Sequence, residues 1–297
     1  MIDVSIIITY FNSLPFLEDC LSSIDKNSIR HSYEIIVVDD ASNNALSKEF
    51  IKSVQNIKYM KNAENLGFVR STNIGIKMSQ GRYVLILNND TVVKVGTIDK
   101  LIDHLDKTPD AGAVGPKLLN CDGSIQLQCR RSFPTPLNSL FYFTGLSRIF
   151  PKSERFGRYL LTYIDDSKTQ EVDSLCGAAM MVRREAIDKV GLMDESYYMY
   201  GDDIDWCYRI KQAGWKVLYH PEAEIVHYGG MGGSREQSYR NIIEFYRAMT
   251  VFYSKHYARG SFLLLNWAVY SGIWLKCLIT LIQNTLRKDK YVGTKKP

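Results

Sequence analysis

The six cysteines (Cys20, Cys121, Cys129, Cys176, Cys207 and Cys277) include no CxxC pair, and the chain has no Pro/Gly/Ser-rich linker, low-complexity tract or internal repeat. The missing pairs argue against a zinc knuckle. Most of the cysteines sit inside apolar segments, so buried free thiols in a reducing compartment are expected. The missing linkers and tracts argue against disorder before the tail. There is also no basic N-terminal region followed by an apolar core. The run Ile6 to Ile8 is far too short for a signal peptide, and the active domain is expected in the cytoplasm. Excess charge is scarce: of the formal net charge of +5, residues 287 to 297 carry +4. A nearly neutral remainder speaks against a general nucleic-acid surface, whereas a basic tail beside an apolar segment suits an anionic membrane face.

What is present is ordinary for a globular protein: 297 residues, 45% apolar and 23% charged. That length predicts one α/β domain of roughly 200 residues plus an appendage, and the elements that follow set these at 1–235, with a mostly parallel sheet, and at 236–297, a C-terminal helical segment. Val4 to Thr9 and Glu34 to Val38 are apolar runs of the kind covered on both faces, with a helix opening at Leu14-Pro15 between them and Asn12 or Ser13 placed to cap it. Strand, helix, strand is the unit of a parallel sheet. Ile57 to Lys61 predicts a third strand, followed by a helix from about Val69 to Met78. Gly67, just before that helix, is expected to permit a backbone angle or a close approach. Tyr83 to Leu87 predicts the next strand, Ile98 to Leu105 a helix and Gly112 to Leu118 another short strand. Residues 120 to 170 show no period; a substrate-binding segment and a packed surface excursion are both open readings.

Chemistry concentrates at three places. The strand at Leu85 to Leu87 runs into Asn88-Asn89-Asp90, aiming oxygen ligands beyond the carboxyl end of a strand, although Asx-type turns use the same residues. Asp202, Asp203 and Asp205 crowd the start of a helix that runs to Gln212. Helix capping accounts for one or two of them, and the third calls for a cation, a proton or a partner such as Arg209. His227 ends the second of two short strands, Val217 to His220 and Ile225 to His227. It opens a glycine-rich loop from which an imidazole can reach a metal shared with Asp90. His220, before Pro221, reads as structural.

Six motifs in order, VSIIITYFN, IVVDDAS, NLGF with Asn73-Ile74-Gly75, LNND, GAAMMVRR and YGDDIDW, resemble the family 2 glycosyltransferases of GT-A fold, and more narrowly the bacterial rhamnosyltransferase-like members. The resemblance covers about residues 3 to 235. It implies a nucleotide-sugar donor, a divalent metal (Mg2+ or Mn2+) and an inverting displacement in which a carboxylate deprotonates the acceptor hydroxyl. On it, Asp39 meets the pyrimidine base with Thr9 and Tyr10 nearby, and Arg70 falls near the base pocket. Asn88-Asn89-Asp90 takes the place of the family's DxD, Asp90 becomes the principal metal ligand, His227 completes the metal site, and Asp203 is the base. Asn88 departs from the acid usual at its position. No Gln-x-x-Arg-Trp motif of processive synthases occurs, so single-residue transfer is expected. The implied reaction moves L-rhamnose from dTDP-L-rhamnose to a lipid-linked or oligosaccharide acceptor. Transfer of galactose, galactofuranose or N-acetylglucosamine from a UDP-sugar, or a non-catalytic sugar-nucleotide-binding protein, are the alternatives.

Gln237 to Tyr257 predicts an amphipathic helix, and residues 260 to 275 form an uncharged run before Lys276. A spanning helix wants about 20 apolar residues. Lys276, two tryptophans and the basic tail favour a helix lying on the inner face of the cell membrane, with a soluble helix closing the core as the alternative.

Overall fold

Strands without polar alternation must be covered on both faces, and the apolar runs accordingly become the middle of one sheet. The computed structural model describes residues 2–27, 29–230 and 239–287. The chain begins β1 (Val4–Tyr10), α1 (Leu14–Asp25), β2 (Tyr33–Asp39), α2 (Lys48–Ser53), β3 (Ile57–Lys61), α3 (Phe68–Met78) and β4 (Tyr83–Asn88). It continues β5 (Thr91–Val93), α4 (Thr97–Lys107), β6 (Ala111–Leu119), β7 (Arg130–Arg131), α5 (Pro136–Phe143), α6 (Leu146–Ile149) and α7 (Glu154–Gly157). Then come β8 (Gln170–Glu171), β9 (Ser174–Leu175), β10 (Ala179–Arg183), α8 (Arg184–Val190), α9 (Asp202–Gln212), β11 (Lys216–His227), α10 (Tyr239–His256) and α11 (Leu263–Leu286).

The sheet runs in the order β3-β2-β1-β4-β10-β6-β11-β5, with β8 also on β11, while β7 and β9 form a separate ribbon. β1 to β4 are mutually parallel, and β11 is parallel to β6. β10 is inserted antiparallel between β4 and β6, and β5 lies antiparallel on β11. The expected mostly parallel α/β sheet is present: β1 to β4 and the β6–β11 pair carry the parallel part, and β10, β5 and β8 add the antiparallel pairs.

Three local expectations change. The two strands foreseen at 217–220 and 225–227 are one strand, β11, with its register shifting between His220 and Glu224, where Pro221 offers no amide to the ladder. Ser13 stands at the N-cap of α1 without making a side-chain cap bond. Its hydroxyl accepts from Asn89 Nδ2 instead. α2, which was not foreseen, is six residues long with none fully buried; it rests on the core only through Phe50 and Ile51, too short a stretch for a helical period to show.

Close approach explains one glycine in α3. A Cβ on Gly75 would stand 2.4 Å from Ile7 Cγ2, so the helix can lie on β1 only with hydrogen there.

α10 and α11 pack on each other through Ile242, Tyr246 and Cys277, with the Tyr246 and Thr280 hydroxyls 2.7 Å apart. α11 is a continuous helix of 24 residues, mean hydropathy 1.4, long and apolar enough to cross a membrane by length and composition. Lys276 lies inside it without breaking it. The face turned away from α10 leaves Leu264, Trp267, Trp274, Leu275, Leu278 and Ile282 exposed.

Candidate active site

Strand pairing brings the strand end at Asp90 and the histidine at 227 together. β5 begins at the residue after Asp90 and pairs with the end of β11, Thr91 opposite His227, and Tyr228 N–H donates to Asp90 O at 2.9 Å. As a result His227 Nε2 lies 3.3 Å from Asp90 Oδ1, both side chains nearly buried. Gln126 grips the histidine twice: its amide Nε2–H donates to His227 O at 2.7 Å, which leaves Oε1, 2.9 Å from Nδ1, as the acceptor of an Nδ1–H. In the neutral tautomer so imposed, Nε2 carries a lone pair and no proton. It is a buried nitrogen without a hydrogen-bond partner, facing a carboxylate. A carboxylate oxygen and an imidazole nitrogen at this separation can share one metal ion.

That arrangement fits the divalent metal. Among the described residues no three His, Cys, Asp or Glu side chains cluster as a ready-made cage. One carboxylate and one imidazole suit an ion that takes its remaining ligands from phosphate and water, as hard cations do at phosphate sites. Of the neighbours expected to help, Asn89 is spent on Ser13. Asn88 is tied by its backbone: its N–H donates to Ala178 O at 2.9 Å, and its carbonyl accepts the Thr91 hydroxyl at 2.7 Å.

The turn that holds Asn88 also holds the candidate base. Gly177 N–H donates to Asp203 Oδ2 at 2.9 Å, so strand end and acidic helix start meet at residues 177 and 178. A Cβ on Gly177 would lie 3.4 Å from Asp203 Cβ, so the close approach its small side chain allows is that of Asp203. Arg131 Nη2 donates to the same Oδ2 at 2.6 Å.

The three carboxylates have separate environments. Asp202 is buried, and burial first, then the Asp203 charge, push its carboxyl up to about 8. Asp205 is fully buried, which works against its charge, yet His256 at 2.7 Å and Arg209 at 2.8 Å hold its carboxyl below the ordinary range. Arg209 was the partner foreseen from spacing. His256, with Lys255 at 3.3 Å, adds a tie from α10 to the helix that bears Asp203. Asp205 is thus an internal anchor.

The residues expected around a nucleotide gather at the ends of β1, β2 and β4. Asp39 Oδ2 accepts from Tyr10 at 3.0 Å and Tyr59 at 2.6 Å, and Oδ1 accepts Ser42 N–H at 2.7 Å. The Thr9 hydroxyl is 3.2 Å from that of Thr72. Gly67 has φ +86° and donates its N–H to Asp40 at 2.9 Å, and a Cβ there would strike the Tyr198 ring at 2.6 Å. Both the backbone angle and the close approach expected of Gly67 are present. Arg70 is largely exposed and faces Glu195 at 3.5 Å. The glycine-rich stretch after His227 lies, from residue 231 to 238, outside the described residues.

Gln126 and Arg131 were missed in the sequence. Both come from the aperiodic 120–170 segment, where no spacing rule links a residue to its partner in space.

A family profile described as glycosyl transferase family 2 matches residues 5–191. The chain is 24% identical over 287 residues to the N-acetylglucosaminyl-diphospho-decaprenol L-rhamnosyltransferase of Mycobacterium tuberculosis, covering 93% of this chain and 92% of that one. It is 24% identical over 234 residues to the rhamnosyltransferase WbbL of Escherichia coli, covering 76% and 83%. The crystal structure of GalNAc-T7 with UDP, GalNAc and Mn2+ aligns with a TM-score of 0.57 at 16% identity, over 97% of this chain and 58% of that one. At that identity the likeness is one of fold, GT-A.

Proposed function

The chain belongs to glycosyl transferase family 2, and on that premise we propose that it transfers L-rhamnose from dTDP-L-rhamnose, with inversion, to a lipid-linked or oligosaccharide acceptor in cell-surface polysaccharide synthesis. The observation that carries the reading is the turn at residues 177 and 178, which joins the Asp203 carboxylate to the strand that delivers Asp90 to His227. The choice of sugar is supported by the rhamnosyltransferase relatives.

Asp90 and His227 would hold the divalent ion, whose chemistry is to neutralise charge on the departing diphosphate. Thr9, Tyr10, Asp39, Gly67, Arg70, Asn88 and Asn89 line the proposed nucleotide side. Asp39 would meet a base through Oδ1, which holds one donor, whereas Oδ2 already holds two tyrosine hydroxyls. Asp203 takes the acceptor's proton as the acceptor oxygen attacks the anomeric carbon. In the same displacement the carbon–oxygen bond to the diphosphate breaks, and its electron pair leaves on the diphosphate. The exposed apolar face of α11 and the basic tail support a seat at the inner membrane face, where a lipid-linked acceptor would be met.

Transfer of a hexose from a UDP-sugar is the second reading, favoured by the likeness to a fold relative crystallised with UDP. A melting-temperature screen of dTDP, UDP and GDP with Mg2+ or Mn2+ separates the two. Stabilisation by dTDP above UDP is expected, the reverse order moves the assignment to a UDP-sugar, and no response to any of them refutes a sugar-nucleotide enzyme.

A further inference from the structure

Arg131 enters the site from β7, which pairs with β9. Its side chain is 11% exposed, and Nη2 donates both to Asp203 Oδ2 and to Leu175 O, each at 2.6 Å. With Gly177 N–H also on Oδ2, that oxygen holds two donors, one of them fully charged. Oδ1 accepts the Ile204 N–H at 2.8 Å. The two oxygens are therefore unlike: Oδ2 is fixed, and Oδ1 keeps the capacity to accept a proton. Burial works against a charge on Arg131, and the Asp203 carboxylate outweighs it, keeping the guanidinium charged.

We infer that Arg131 is a positioning residue for the transfer reaction, clamping Asp203 through Oδ2 so that Oδ1 is the atom that takes the acceptor's proton. The inference rests on the reading of Asp203 as base. In the step, Oδ1 gains the hydroxyl proton, the acceptor oxygen bonds to the anomeric carbon, and the diphosphate leaves with the electron pair of the broken bond. Arg131 touches none of these reacting atoms and acts by restricting the carboxylate's rotation, so its contribution is one of orientation. It also makes the stretch between β6 and α5 part of the base's support.

The test uses the full chain with Arg131→Gln, Arg131→Lys, Asp203→Asn and the Arg131→Lys/Asp203→Asn double variant. Transfer is measured at steady state, and nucleotide binding by the melting shift with UDP or dTDP and Mn2+. Arg131→Gln is expected to lower kcat roughly 10- to 100-fold, part of the ~10²–10⁴ that a general base contributes, with donor KM and the melting shift unchanged. Arg131→Lys recovers part of the loss. In the Asp203→Asn background Arg131→Lys adds nothing, because a residue acting through another has no effect once the other is gone. Wild-type kcat in Arg131→Gln, a donor KM rising in step with the loss, or a full Arg131→Lys penalty persisting without Asp203 each overturns the inference. Should Arg131→Gln not fold, the double-variant comparison decides alone. Absence of any transfer by the wild-type chain would overturn the function itself, an outcome distinct from all of these.

Discussion

His227 Nε2 and Asp90 Oδ1 face each other at 3.3 Å across two antiparallel strands, and Gln126 leaves the neutral imidazole with a lone pair on that side. A cation bound there would be shared by the two groups, so its loss is the first thing a substitution changes. Asp90→Asn keeps the shape and removes the charge. It is expected to abolish the Mn2+-dependent part of nucleotide stabilisation and to lower transfer by more than about 10²-fold. Retention of the Mn2+-dependent melting shift in this variant would show that the ion binds elsewhere.

Gln126 extends the argument to a residue that touches the ion only through His227. Gln126→Leu frees the imidazole to rotate and to exchange tautomers, and partners of metal-bound histidines are typically worth about 10- to 100-fold in metal affinity. Titration calorimetry with Mn2+ in the presence of nucleoside diphosphate should give a loss in that range, with the unfolding temperature in EDTA little changed. Equal Mn2+ affinity in the two proteins would make Gln126 a mere surface partner of the strand.

The clusters that hold Asp90 and Asp203 are legible in the sequence because each sits at an element boundary that local rules mark, the carboxyl end of an apolar strand and the acidic start of a helix; which member of each cluster matters is implied only by the family resemblance. The strands β1 to β4 were legible for the same reason, since their apolar runs do not depend on which partner covers them. The antiparallel insertion of β10 was not, because a buried strand reads alike in either direction. Arg131 and Gln126 were not legible because their roles come from distant contacts. Arg131 lies on a strand of two residues, too short for any period, and Gln126 is one polar residue among several before it. Asp205 reads with the reactive carboxylates because His256, which reaches it from α10, lies 51 positions further along the chain.

Asp202 supplies a pH signature. Burial, then the Asp203 charge, lift its carboxyl from the ordinary 3.8 to about 8. Between those values the folded chain holds a proton that the unfolded chain has released. The group's contribution to stability is therefore full below about pH 4 and is lost as pH rises towards 8. Asp202→Asn removes the titration. Its melting temperature should exceed that of the wild type by a margin that grows from pH 5 to pH 8, at up to about 1 kcal/mol per pH unit, and then levels off. A margin independent of pH over that range would mean that Asp202 is ionised in the folded chain.

The exposed face of α11 gives the last test. Leu275 and Leu278 are 60% and 54% exposed and point away from α10, so a charge at either position leaves the Ile242–Tyr246–Cys277 contact intact. In water Leu275→Asp with Leu278→Asp should cost little stability, since surface substitutions of this kind stay within about 0.5 kcal/mol. In a bilayer the same carboxylates are opposed by roughly 3 kcal/mol each on insertion scales. If α11 seats the enzyme on lipid, the double variant should keep its melting temperature and leave sedimented anionic vesicles, with transfer to a water-soluble acceptor preserved. Removal of residues 260–297 should release the protein in the same way, at the cost of uncovering Tyr246. Continued sedimentation of both proteins with vesicles would place the attachment elsewhere on the chain, and an unaltered vesicle affinity of the double variant alone would put the contact on another face of α11.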